Sequence, residues 1–325
     1  MPHKTPHGLQ MTPAASASFI ATRSKQSGLT LVELMVGVAI GLMVVAVAGG
    51  ALMVSRGTSG TVSDASALQQ QAGYAFRVIG QQLRQSGSLY LNLNASKNTS
   101  TDIDRYALPV AFEAKATSST PGRAFSPATD TISGTNTTLN LGYRRYKEPV
   151  YPVNDTSPAT QSLSRDCQGG PQDSDTADNN SFMRISSAFA LNGNNLVCTG
   201  TTGTTQPVIG NVANFRVRYL RMTDTASGAP KIQYVNAAAV GTNWGQVTGV
   251  EVCLVLYGNE PMNLPSGNGS ATYTDCDGTT SVDYTSASST DMSGSAIGAA
   301  RAQRMHMVFR SVYQLRSQGL IGNVL

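Results

Sequence analysis

Apolar side chains run almost without a break from Leu29 to Val54, and a single charge, Glu33, interrupts them. Coiled as a helix, this run of about 26 residues would rise about 39 Å, enough to cross a hydrocarbon core of about 30 Å with some tilt. The pattern predicts a membrane helix rather than a core helix. Past Ser55, Arg56 and Gly57 the periodicity changes but does not stop. Apolar residues recur at Val62, Ala65, Leu68, Ala72, Phe76, Ile79 and Leu83, at spacings of three and four that mark one helical stripe, while Gln70, Arg77, Gln81 and Arg84 take the opposite face. The two patterns join into one predicted helix from about Thr30 to about Ser86, its first half suited to lipid and its second to packing on protein.

From Leu91 to about Pro207 the chain is rich in Ser, Thr, Asn, Gly and Asp, with short apolar islands between turn signals. Thr138 to Tyr143 and Met183 to Leu191 read as strands, and Asn192-Gly193 signals a hairpin into Asn195 to Cys198. The carboxyl-terminal third is plainer. Phe215-Arg216-Val217-Arg218-Tyr219 alternates apolar with charged residues, as a half-buried antiparallel strand does. Lys231 to Val235, Val247 to Tyr257 and Met305 to Leu315 continue the series, and the Val247 to Tyr257 run, apolar on both faces, suits a central strand. The predicted class is α+β: one long amino-terminal helix on an antiparallel sheet, with long loop insertions.

Composition sharpens this picture at the amino terminus. Lys4, Arg23 and Lys25 lie before Gly28 in a segment with no acidic residue, so the formal charge of +4 for the 325 residues belongs largely to that segment. Without it, 20 basic side chains face 19 acidic ones. The remainder is nearly neutral and lacks the global electrostatic footprint of a dedicated nucleic-acid binder. Basic residues ahead of the apolar run place the amino terminus in the cytoplasm and everything beyond Val54 outside. A secretory signal peptide is cut after its apolar region, whereas a cut after Gly28 would leave the helix on the mature chain. A carboxylate near the end of a membrane helix costs about 2.5 to 3.5 kcal/mol unless it is partnered, which marks Glu33 as a functional residue.

All four cysteines, Cys167, Cys198, Cys253 and Cys276, fall in the exported part, where disulfides are permitted. Three pairings are open. The sequence-local one, Cys167 with Cys198 and Cys253 with Cys276, is favoured because neither pair needs a distant strand to be placed first. Each bridge would contribute about 3 to 4 kcal/mol by restricting the unfolded chain.

Gly28 followed by Leu-Thr-Leu-Val-Glu-Leu-Met-Val resembles the signal motif of type IV pilins and type II secretion pseudopilins. The resemblance implies cleavage between Gly28 and Leu29 by a prepilin peptidase, N-methylation of Leu29, and Glu33 as the fifth mature residue, acting in assembly and register. Leu29 stands where Phe is commoner in the family. Gln81-Gln82-Leu83-Arg84-Gln85-Ser86-Gly87 is similar to the segment ending the first helix in PilW-like minor pilins, with Ser86 where alanine is usual. The order of strands from Val208 to Tyr257, and the segment Arg304 to Arg316, resemble the same family and more loosely the pseudopilin GspJ. The implied function is that of a minor type IV pilin supporting pilus assembly; a GspJ-like pseudopilin and a pilus-borne DNA- or surface-binding protein are the alternatives.

Catalysis finds little support: His306 is the only exported histidine, and no Ser or Cys nucleophile has a local signature. No catalytic residue, cofactor or metal site is assigned. His306 alternates with Met305 and Met307 and reads as strand surface. Zinc would need ligand spacings that the cysteines lack. Asp173, Asp175, Asp178 and Asn180 crowd one loop and Asp275, Asp277 and Asp283 another, but neither fits a calcium-loop pattern, and solvated loops are the plainer reading. Tyr143-Arg144-Arg145-Tyr146-Lys147 interleaves aromatic and basic residues as a single-strand nucleic-acid site would, though a strand end facing solvent explains it as well.

The expected organisation is a leader at 1–28, a membrane half-helix at 29–54, an amphipathic half-helix at 55–88 and an exported β-rich domain at 89–325. Expected partners are prepilin peptidase, other minor and major pilins, the inner-membrane assembly platform and membrane lipid. Replacing Gly28 with a bulky residue is expected to block processing. In wild-type cells, mass spectrometry is expected to find a mature amino terminus at Leu29, and a chain beginning earlier would refute the cleavage site.

Overall fold

The computed structural model describes residues 28–87, 91–92, 111–112, 125, 127–144, 148–151, 159–161, 164–170, 184–224, 230–262, 264 and 271–316. The leader expected at 1–28 lies outside the described residues except for Gly28. The chain divides into two compact units, Met1–Ser55 and Arg56–Leu325. Helix α1, Leu31–Gln85, has 55 residues, and its ends match the predicted helix closely. Its part in the first unit holds the candidate membrane span, Leu31–Met53, with mean hydropathy 2.6 and no buried residue.

The second unit takes up the rest of α1 and the strands. In order, these are β1 (Leu91–Asn92), β2 (Ala111–Phe112), the short helix α2 (Pro127–Asp130), β3 (Ile132–Gly134), β4 (Thr138–Arg144), β5 (Glu148–Val150) and β6 (Ala159–Gln161). There follow β7 (Arg184–Asn192), β8 (Asn195–Thr199), β9 (Thr205–Ile209), β10 (Val212–Asp224), β11 (Pro230–Val235) and helix α3 (Ala237–Val240). The last strands are β12 (Val247–Pro261), β13 (Thr272–Thr274), β14 (Ser281–Asp283) and β15 (Arg304–Gln314). Two larger antiparallel sheets result, one in the order β3-β4-β7-β8-β9 and one in the order β11-β10-β12-β15. The hairpin signal at Asn192-Gly193 is met by a two-residue loop in which Gly193 takes φ 57°, a left-handed conformation that suits glycine.

Strand β12 is central and its run of apolar residues is buried on both faces. Val250, Val252, Leu254 and Leu256 join the core that also holds Leu68, Ala72, Ala75, Ile79 and Leu83 of α1 and Leu139, Leu141 and Phe189 of the five-stranded sheet. Cys253, Val255 and Tyr257 face a second cluster with Tyr273, Cys276, Val282 and Ile297. The alternation of side chains along a strand thus divides β12 between two cores.

The buried stripe of α1 is not quite the one the sequence predicts. Val62 is 71% exposed, and Ala75 is buried where the stripe had Phe76, which is only partly buried. Upstream of Leu68 the contact is polar. Asp64 is buried, and its Oδ2 accepts the Glu260 N–H at 2.8 Å. A hydrophobicity pattern has no way to register a helix residue held by a hydrogen bond to a strand.

At the other end, Gln82 is buried among polar partners. Its Oε1 accepts the Ser187 hydroxyl at 2.9 Å and the Tyr143 hydroxyl at 3.4 Å, and its Nε2 donates to the Arg165 carbonyl at 3.4 Å. Ser187 Oγ in turn accepts the Cys167 N–H at 3.0 Å. The helix then ends with Ser86 Oγ donating to Leu83 O at 2.7 Å and Gly87 N–H donating to Gly142 O at 2.9 Å. These bonds join the end of α1 to β4, β7 and the loop at 164–170.

Gly258 stands opposite Asp64, and a Cβ there would collide with the Asp64 carboxylate. Gly258→Ala is expected to destabilise the domain by about 1 to 3 kcal/mol, as overpacking does. In an Asp64→Ala background the penalty should shrink. The measurement is thermal unfolding of the full-length protein in detergent, followed through its single tryptophan, Trp244, which meets Tyr219 edge-on at 5.0 Å.

Candidate functional site

The sequence motif at the start of α1 becomes a helix cap. Thr30 N–H and Thr30 Oγ1 both donate to Glu33 Oε2 at 3.0 Å, and Glu33 N–H donates back to Thr30 Oγ1 at 3.3 Å. This is a capping box, in which a threonine and a glutamate three residues on satisfy helix donors reciprocally. The T-x-x-E spacing of this cap is present in the sequence itself. Among the described residues, Glu33 Oε1 accepts no hydrogen bond, so half of the carboxylate remains open to a donor.

Around the cap no described residue of this unit covers the apolar surface. Leu29, Leu31, Val32, Leu34 and Met35 are each 59–75% exposed. A Cβ added at Gly37, Gly41, Gly49 or Gly50 would meet nothing within 4 Å. Small residues on an uncovered membrane helix are what close approach by another helix uses.

In the second unit the cysteines are joined as Cys167–Cys198, with Cα atoms 6.4 Å apart, and Cys253–Cys276, at 5.8 Å. The first closes the loop in which Asp166 Oδ1 accepts the Gln168 and Gly170 N–H groups, both at 2.9 Å, while Oδ2 accepts the Thr201 N–H at 2.9 Å. The second ties β12 to the segment carrying Asp275.

The acidic residues do not converge. Asp275 is fully buried and accepts from Asn214 Nδ2 at 3.0 Å, the Met292 N–H at 3.0 Å and the Cys276 N–H at 2.6 Å. Asp277 caps a turn through Thr279 and Thr280, and Asp283 caps another through Thr285, whose hydroxyl and N–H draw its carboxyl below the usual range. Each carboxylate serves its own turn, and among the described residues no three His, Cys, Asp or Glu side chains group as a metal site. Asp173, Asp175, Asp178 and Asn180 lie outside the described residues.

Two residues are placed differently from their sequence reading. Tyr143 is 1% exposed, with its hydroxyl on Gln82 and on the Arg165 carbonyl, so it cannot stack on a base. Arg145, Tyr146 and Lys147 lie outside the described residues. His306 is not strand surface but 8% exposed, stacked on Tyr273 at 4.9 Å with nearly parallel rings and flanked by Tyr284 at 5.4 Å and Tyr257 at 6.0 Å. The segment at 271–303 that covers this face supplies Tyr273 and Tyr284, and strand alternation could not foretell that cover.

Two family models match the chain. The prokaryotic N-terminal methylation motif spans residues 23–49, and Type IV Pilus-assembly protein W spans residues 173–317. This chain is a minor type IV pilin of the PilW type. The domain model takes in the strands from β7 to β15, and the motif takes in the Thr30–Glu33 cap. No curated protein matches the chain. Among solved structures, a type IV-like pilin from Thermus thermophilus is 13% identical, with 76% of this chain and 94% of that chain covered at a TM-score of 0.31, a likeness on which nothing further is built. The protein takes part in pilus assembly, and its family is one of structural rather than enzymatic proteins.

His306 gives the PilW-type domain a pH dependence. Its Nδ1 lies 2.9 Å from the Arg304 carbonyl and is assigned as the donor, while Nε2 is buried without a partner, which describes a neutral ring. Burial, aided by the Arg301 charge, pushes its pKa from 6.5 down to about 4. The unfolded chain therefore binds this proton first. The contribution is fully present above about pH 6.5 and is lost as pH falls toward 4, by about 3 kcal/mol. The expected result is a steeper loss of thermal stability between pH 6.5 and 4 for wild type than for His306→Phe, and parallel curves would refute it.

Proposed function

We propose that the pilin is made as a prepilin held in the bacterial inner membrane by residues 29–54, with its carboxyl-terminal domain in the periplasm, and is cut between Gly28 and Leu29 by prepilin peptidase. The new amino-terminal Leu29 is then N-methylated. The mature chain enters the pilus or its initiating complex beside other minor and major pilins, at the inner-membrane assembly platform. The disulfides Cys167–Cys198 and Cys253–Cys276 brace the exported domain.

The observation that carries this reading is the Glu33 carboxylate at the head of an uncovered apolar helix, with Oε2 occupied by Thr30 and Oε1 open. A carboxylate in lipid needs a partner, and the positive amino terminus of a neighbouring subunit reaches the same layer once the leader is gone. Pairing the two fixes the axial register between subunits, because a slip leaves a charge uncompensated at low dielectric. Gly37, Gly41, Gly49 and Gly50, each with open space where a Cβ would stand, provide for close helix approach in the same layer.

Two substitutions separate pairing from capping. Glutamine can complete a capping box but carries no charge. If Glu33 sets register, Glu33→Gln and Glu33→Ala are both expected to be inserted and processed at wild-type level, and both to be lost from sheared pili or from complexes with partner pilins by tenfold or more. Immunoblots for processing and for co-purification provide the measurement. Incorporation of Glu33→Gln at the wild-type level would reduce the residue to a helix cap.

A further inference from the structure

A cleft of about 340 Å³ opens where β10 of the four-stranded sheet lies beside β4 and β7 of the five-stranded one. Its walls come from β4, the β7–β8 hairpin, β10 and the loop from Asp291 to Arg301. Strand β10 pairs with β11 only from Tyr219 onward, so the stretch Val212–Arg218 has β12 on one side and, among the described residues, no strand on the other. That free edge is held by two backbone bonds, Val212 N–H to Asn194 O and Val217 N–H to Asn136 O, both 2.9 Å.

The charges lining the cleft are unevenly matched. Arg301 donates through Nε to Ile297 O at 2.7 Å and through Nη1 to Ala213 O at 3.0 Å, and its Nη2 lies 3.8 Å from Asp291 Oδ2. Asp291 Oδ1 is taken by Ser293 N–H at 2.9 Å. These two residues answer each other. Arg216 has no such answer: its Nε is shielded from solvent with no acceptor, and among the described residues no carboxylate lies within ion-pair distance. Arg184, Arg218 and Arg310 each face a carboxylate. A buried guanidinium N–H without an acceptor, in a cleft with one unmatched positive charge, is the signature of an absent anionic partner.

We propose that this cleft binds a carboxylate, received by Arg216 and supplied either by a small free acid or by the acidic side chain or end of a polypeptide laid along the free edge of β10. The Nε–H and Nη–H edge of arginine presents two parallel donors at the spacing of carboxylate oxygens. A monoanion matches the single unmatched charge, whereas a phosphate dianion would meet Asp291 with half its charge unanswered. An extended polypeptide gains backbone bonds to a strand edge that a small acid does not. The site is independent of Glu33 and of the helix that carries it.

The test is titration of the full-length protein in detergent by calorimetry, with N-acetylglycine as the free acid, a hexapeptide of alternating Glu and Val as the polypeptide, and inorganic phosphate. At least one carboxylate probe is expected to bind saturably. A peptide tenfold or more tighter than N-acetylglycine identifies a polypeptide as the source, and equal or weaker peptide binding identifies a free acid. Arg216→Gln is expected to weaken binding at least tenfold, and so is Ser295→Trp, which fills the cleft from an exposed loop position; Arg218→Gln, on the same strand but paired with Glu251, is expected to leave it unchanged. The proposal is overturned if neither carboxylate probe binds, if phosphate binds more tightly than both, or if either cleft variant binds as wild type does.

Discussion

The packing of α1 against β12 and its neighbours is the interaction on which the β-rich domain depends. Leu68, Ile79 and Leu83 are buried to 2% or less, and Ala72 and Ala75 let the helix lie close to the strands between them. At about 1.5 to 3 kcal/mol for each large side chain, this contact is among the strongest single contributions to the core. It also brings the two larger sheets together, since residues from both share the cluster with α1. With that face satisfied, β12 is free to turn Cys253, Val255 and Tyr257 to the second cluster, and the segment at 271–303 folds over it. Removing the helix would expose the first core directly, and the second would lose the sheet it rests on.

Several buried polar groups in this domain are fully answered. Asp64 takes a strand N–H, Gln82 bonds residues of β4, β7 and the Cys167 loop, and Asp275 takes two N–H groups and an asparagine amide. Buried polar groups with complete partners specify one arrangement, because any shift of the helix leaves several of them unpaired. Other buried polar atoms lack a partner, and two of them carry information. The unpartnered Nε2 of His306 fixes a neutral ring among tyrosines, and the unpartnered Nε of Arg216 opens on a cleft.

The two units of the pilin answer to different solvents. The unit ending at Ser55 keeps its apolar surface uncovered and holds one carboxylate, whereas the unit from Arg56 buries its apolar stripe and, among the described residues, commits most of its acidic side chains to turns, caps and ion pairs. One carboxylate with an open oxygen is thereby left at the head of α1. The β-rich domain offers rigidity, with both disulfides closing loops onto strands, at Cys198 of β8 and Cys253 of β12.

The sequence by itself determined whatever follows from local periodicity. The span of α1, the alternation in β10, the two-faced burial of β12 and the hairpin at Gly193 could be read directly, because each depends on residues near one another in the chain. The Gly28 to Glu33 motif was legible for the same reason, and its T-x-x-E spacing carries a helix cap as well as a charge. What only the tertiary structure decided depends on residues far apart in sequence: Asp64 buried against Glu260, Gln82 against Ser187, His306 roofed by Tyr273 and Tyr284, and Arg216 left alone in a cleft whose walls come from four separate segments. A polar residue on a helix or strand reads as solvent-facing until something packs over it, and hydrophobic patterning carries no record of which distant segment will.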